Sequence, residues 1–214
     1  MKLFYAPDEA ILDAKKERSL VKSIIVLLIS SVLLLATLVV FYQSTKAPLG
    51  DLVKLEFPIA IYAFIVPFLG SLFLGFILVV VLNTLGGNGN YFDGLTTVSY
   101  SLLPFSIGIF LSVTINVLPA ILNITITDMN IILIKGLVVF SIGIFFTAES
   151  VAITYRAIKE LFEADMVTAF VGVAVLSVAI MIPLYIVVYS TIFQLMLGLF
   201  SMGLPDGGLP GPGG

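Results

Sequence analysis

The 214-residue chain is 60% hydrophobic and only 11% charged, with a mean hydropathy of +1.20 and a formal net charge of −3. Soluble domains carry about 25% charged residues, so a water-soluble globule is excluded and an integral membrane protein is expected. The absence of Cys, His and Trp excludes disulfides, thiolate nucleophiles, histidine ligation of haem and the usual zinc sites, and the small net charge leaves no case for nucleic acid as a partner.

The chain opens on "APDEAILDAKKERSLVKS", which reads as a helix. Pro7 suits a first-turn position, and Asp8 and Glu9 complement the positive end of the helix dipole. Ile11, Leu12, Ala14 and Leu20 are expected on the membrane surface, with Lys15, Lys16 and Arg18 reaching the headgroups. The plainer reading is a positive flank that orients the chain; a docking site for a partner is the sharper one.

Five hydrophobic blocks follow, at residues 24–42, 58–82, 95–119, 131–152 and 168–189, the last with an apolar extension to residue 200. Each approaches the roughly 20 apolar residues that span a bilayer as a helix. The first is no cleaved signal peptide, because it starts late, runs too long and lacks an Ala-x-Ala-like site. Barrel strands would alternate apolar and polar residues; these blocks are solidly apolar, so helices are expected.

Between the second and third blocks lies "TLGGNGNYFDGLTTVSYSLLP". A phosphate-binding loop needs a Lys before Ser or Thr, and this stretch has neither Lys nor Arg. The dinucleotide fingerprint needs glycines at its first, third and sixth positions; Gly87 and Gly89 fit, but the sixth position is Phe92. The stretch reads instead as a turn between membrane helices. Gly86, Gly87 and Gly89 allow positive φ after a helix, Asn90 and Asp93 have capping spacing, and Tyr91 and Phe92 suit the headgroup level.

After the fourth block, "TYRAIKELFEADMVTA" has Ile158, Leu161 and Phe162 at helical spacing among Arg156, Lys159, Glu160 and Glu163. The fourth helix is therefore expected to leave the membrane as a short amphipathic arm ending near Asp165, which would cap the fifth. Lys and Arg divide seven against three between the two sides, with Lys2, Lys15, Lys16, Arg18, Lys22, Arg156 and Lys159 together. That places the N-terminus in the cytoplasm and, with five spans, the C-terminus outside. The triplet Asn123-Ile124-Thr125 would then face outward as a glycosylation acceptor.

The residues 85–104, "LGGNGNYFDGLTTVSYSLLP", resemble the Yip domain family of Ypt/Rab-interacting membrane proteins with five spans. Its landmarks are a Gly-Gly-x-Gly loop and a Tyr-x-x-x-Pro step, here Gly86, Gly87, Gly89, Tyr100 and Pro104. A second landmark has the form Gly-Leu-Lys-x-x-His-Gly-x-Ser, with Ala four residues on. Lys159 and Ala169 fit it, while Ala157 replaces Gly, Phe162 replaces His and Asp165 replaces Ser. The resemblance covers residues 3–190, and "LFYAPDEAI" looks like the start of prokaryotic members. It implies a role near membrane traffic and a small GTPase or another membrane protein as partner. The short N-terminal segment looks more like a prokaryotic or archaeal member, for which a GTPase does not follow.

Intramembrane polar residues are the remaining leads. Lys135 either snorkels to the interface or serves a solute path. Glu149 pairs with Arg156, lies at the headgroups, or relays protons. Thr96, Thr97, Ser99, Tyr100 and Ser101 form a patch that interhelical hydrogen bonding explains. Small residues four apart, at 71/75, 108/112, 143/147 and 168/172, favour close helix packing. Pro67, Pro104 and Pro183 are expected to kink their spans, and residues 168–200 to bend near Pro183 or beyond Tyr189. Without His or Cys there is no nucleophile–base pair, so no catalysis and no cofactor are expected.

The fold expected is all-α, a polytopic bundle of five transmembrane helices plus a short N-terminal amphipathic helix. Its parts are a cytoplasmic segment at 1–22, the membrane domain at 23–203 and a disordered Gly/Pro-rich tail at 204–214. The function expected is a non-enzymatic membrane protein that organises or recruits partners, in a homo- or hetero-oligomer among membrane lipids. The rival is a small transporter, channel or lipid-handling protein using Lys135 and Glu149. The membrane would be the plasma membrane in a prokaryote and the endoplasmic reticulum or Golgi in a eukaryote.

Overall fold

A computed structural model of the protein describes residues 6–17, 19–49, 57–122 and 129–178. All regular elements among them are helices: α1 Pro7–Glu17, α2 Leu20–Leu49, α3 Phe57–Thr84, α4 Tyr91–Ile121, α5 Met129–Leu161 and α6 Met166–Val178. Residues Met1–Leu176 form one compact unit and Ser177–Gly214 another. The expected bend near Pro183, the Asn123 triplet and the 204–214 tail lie outside the described residues.

Four helices are long and apolar enough to cross a membrane, over Leu20–Phe41, Phe64–Thr84, Tyr91–Pro119 and Asn130–Leu161. The protein is thus a helical membrane bundle. The fifth block begins as α6, and most of it lies outside the described residues. At 33 residues, α5 is about 50 Å long at 1.5 Å per residue. That exceeds the roughly 30 Å of bilayer hydrocarbon, so its polar last turns emerge from it.

α4 is the hub, packing most extensively on α5 and α2 and then on α3. Leu27 of α2 meets Leu95 and Leu102 of α4 in an apolar core, flanked by Ile24, Phe68, Leu72 and Phe105. Backbones approach closely where α3 crosses α4: a Cβ on Gly94 would lie 2.2 Å from the Gly75 carbonyl oxygen. The helices run on through Pro67 and Pro104. Pro104 deprives the Tyr100 carbonyl of its helical donor, and one residue along, the Ser101 carbonyl accepts the Ser150 hydroxyl of α5 at 2.7 Å.

α1 departs from expectation. Ile11 and Ala14 are buried against protein, because α1 packs over the end of α5 rather than lying with that face on the membrane. An apolar helical stripe needs only a surface that excludes water, and α5 supplies it. Leu12 and Leu20 do remain exposed. Ser19 caps α2, accepting from Lys22 N–H at 3.4 Å, and Lys22 pairs with Glu17.

Candidate functional site

The end of the bundle that carries α1 is built from three stretches far apart in the chain. The first is the turn after α3. There Gly86 has φ +95°, and the N–H groups of Gly86 and Gly87 donate to the Asn83 and Leu82 carbonyls at 3.3 and 2.9 Å. This is the Schellman arrangement, in which a left-handed residue closes the helix and its orphan carbonyls are satisfied. Asn83 then holds the descending chain by both ends of its amide, donating to the Gly89 carbonyl at 2.8 Å and accepting from its N–H at 3.0 Å. Asn90 and Asp93 open α4 reciprocally: Asn90 N–H donates to Asp93 Oδ2 at 2.8 Å, and Asp93 N–H donates to Asn90 Oδ1 at 3.2 Å. The Asp93 carboxylate lies buried at the positive end of the α4 dipole.

The second stretch is the exit of α5. Phe162 is fully buried, and its ring lies over Gly89 so closely that a Cβ there would sit 2.1 Å from it. The Phe162 carbonyl accepts the Asn88 N–H at 2.8 Å. Glu163 follows with φ +52°, at the place where the second landmark has Gly, so the left-handed turn is kept without the residue that favours it. Asp165 stands where that landmark has Ser and accepts the Thr168 N–H at 2.7 Å; both residue types cap helices. Hydrogen bonds from Thr168, first its backbone, hold the Asp165 carboxyl below its ordinary 3.8. Thr168 also donates its hydroxyl to the Leu85 carbonyl at 3.2 Å, and Ala169 is fully buried.

α1 closes the assembly. Lys15 Nζ donates to the Glu160 carbonyl at 2.7 Å and to Glu163 Oε1 at 3.0 Å, so a cation from outside α5 satisfies the negative end of that helix. Arg156 pairs with Asp8 at 3.3 Å. The Glu149–Arg156 pair considered from sequence is therefore not formed. Those two residues stand about two turns apart on α5, whereas α1 brings Asp8 within direct reach. Lys159 and Glu160 are exposed beside this junction, and Glu149 is half-buried.

Below the junction, the hydroxyl patch of α4 is divided in its bonding. Thr97, Ser99 and Ser101 donate back to carbonyls of their own helix. Across helices, Thr96 Oγ1 lies 2.8 Å from Ser23 Oγ of α2, and Thr154 Oγ1 lies 2.7 Å from Ser101 Oγ. Tyr100 and Pro104 are buried in this stretch. At the opposite end, Lys135 Nζ donates to the Asn116 carbonyl of α4 at 3.2 Å. Among the described residues no cluster of carboxylates is placed to hold a metal ion.

Sequence reading missed Asn83, Asn88 and Lys15 as parts of this junction and took Phe162 for a departure. An Asn in the last turn of a helix before a glycine run was the available signal for Asn83. For Phe162 the signal was a large apolar residue at a turn exit facing a glycine loop.

Helices that cross the bilayer and lock together at one end through their turns define a polytopic α-helical membrane protein. The Yip1 domain family model matches residues 1–189, and the chain belongs to that family. No curated protein and no solved structure matches the chain significantly.

Proposed function

We propose that the protein is a non-enzymatic recruiting platform, whose α1-bearing end faces the cytoplasm and presents a preformed surface to a protein partner. The observation that carries this reading is the clasp itself. The Asn88–Phe162 bond at 2.8 Å and the Lys15–Glu160 bond at 2.7 Å join segments distant in sequence into one surface. A preformed surface lowers the ordering penalty of binding. The polar atoms inside this surface are used to hold it together, while Lys16, Lys159 and Glu160 project from it. The excess of Lys and Arg on this side supports the orientation. Family membership makes a small GTPase or another membrane protein the first partner class to try.

A photo-crosslinking residue at Lys16 or Lys159, in native membranes, tests the proposal. The expected result is one protein adduct, identified by mass spectrometry, that is lost when Phe162→Ala loosens the clasp. Adducts to lipid alone would sink the platform reading. Liposome flux of solute or lipid that Glu149→Gln abolishes would put the transporter in its place.

A further inference from the structure

Of the four small-residue pairs, three have members tightly packed and one does not. A Cβ on Gly75 would meet the Leu95 backbone at 3.1 Å, one on Gly108 the Phe146 side chain at 2.5 Å, and one on Gly172 the Ile158 side chain at 2.7 Å. A Cβ on Gly143 would meet nothing within 4 Å. Gly143 lies in an open groove of about 560 Å³ along the α4–α5 seam, lined by Ser112, Val139, Phe140, Ile144 and Thr147 and almost wholly apolar. Small residues here leave room that no described side chain takes up.

The seam continues past the groove to a cation. α4 and α5 run antiparallel, with Ser150 bonded to Ser101, Ser112 to Val139 and Lys135 to Asn116. Lys135 thus stands one turn beyond Val139, at the outer mouth of the groove. From Val139 to Ala148 the lining runs about 13 Å along the helix, close to half of the ~30 Å hydrocarbon layer, which is one leaflet. Lys135 is half-buried as a residue, and its ammonium gives one of its three donors to the Asn116 carbonyl. Among the described residues it has no carboxylate partner. A membrane cation with no carboxylate partner among the described residues, above an apolar slot one leaflet deep, matches the two ends of one molecule.

We propose that the α4–α5 seam binds one anionic phospholipid, its phosphate against Lys135 and one acyl chain in the groove over Gly143. The site lies at the opposite end of the bundle from the clasp and does not depend on the platform reading.

Native mass spectrometry of the full chain in mild detergent, titrated with phosphatidylglycerol and phosphatidylcholine of identical chains, tests this. One cation near a headgroup predicts about fivefold preference for the anionic lipid. Lys135→Gln removes the preference, and Lys135→Arg restores it. Gly143→Leu, whose side chain enters open space, lowers retention of both lipids. Equal retention of the two lipids by the unaltered chain overturns the proposal. So does a preference that survives Lys135→Gln, or a groove occupied by a second copy, seen as a dimer that Gly143→Leu dissociates.

Discussion

The two halves of α4 are built on different terms. From Phe92 to Pro104 every residue is buried, whereas from Phe105 to Pro119 only Ser106 and Gly108 are. The first half carries Thr96, Thr97, Ser99 and Ser101, and Gly94, which lets α3 come to backbone contact. The second half carries large aliphatic side chains that the bilayer solvates as well as protein would. Lipid offers no hydrophobic drive for helices to associate, so tight packing in a membrane follows small residues and hydroxyls. Tyr100 and Pro104 of the first family landmark fall in the tight half, and the groove falls beside the loose one.

The sharpest way to test that contrast is at the clasp. Phe162→Ala removes a fully buried ring and should lower stability by about 3 kcal/mol, measured by thermal or denaturant unfolding in detergent. Gly89→Ala should also destabilise, because its Cβ strikes that ring. Combined with Phe162→Ala it should become nearly silent, since the obstacle is gone. Additive losses would mean that Gly89 and Phe162 do not act through their contact.

Next in size is a pair of identical substitutions with opposite expected signs. Gly94→Ala presses a methyl group to 2.2 Å from the Gly75 carbonyl oxygen, where only a shift of one helix backbone relieves it, at about 1–3 kcal/mol. Gly143→Ala adds a methyl group in open space and should gain up to about 1 kcal/mol through helix propensity. Matching signs from unfolding measurements would break the division of the bundle into tight and loose halves. Smaller again is Glu163→Gly. Relief of the left-handed backbone is worth about 1 kcal/mol, offset in part by an exposed Lys15 pair worth about 0–1 kcal/mol, so a modest rise in Tm is expected.

What was legible in the chain follows from the range of each interaction. The Asn90–Asp93 reciprocity spans three residues, and so does the Asp165–Thr168 cap; spacing alone encodes both. The apolar blocks announce membrane helices because the bilayer imposes their length. The clasp was hidden, because Phe162 meets Gly89 and Asn88 only after α3, α4 and α5 are in place. Phe for His looked like the loss of a functional group. In the structure the ring is the surface that the glycine loop is shaped to receive. The destination of Ile11 and Ala14 was also hidden, since an amphipathic stripe has the same pattern whether it meets lipid or protein.

The smallest expected effect concerns pH at the entry to α6. The Asp165 carboxyl is held below its ordinary 3.8 by hydrogen bonds from Thr168, so folding binds it preferentially as the anion. A depressed carboxylate contributes its stability in full above the unfolded value and loses it as pH falls through the folded one. Between pH 5 and 3 the entry to α6 should therefore loosen, seen as faster amide exchange at Thr168 and Ala169 after correction for intrinsic rates. Asp165→Asn keeps a side chain that caps equally well but has no proton to take up, and it should flatten that pH response while leaving exchange at pH 5 nearly unchanged. A response that persists in Asp165→Asn would move the titrating group elsewhere.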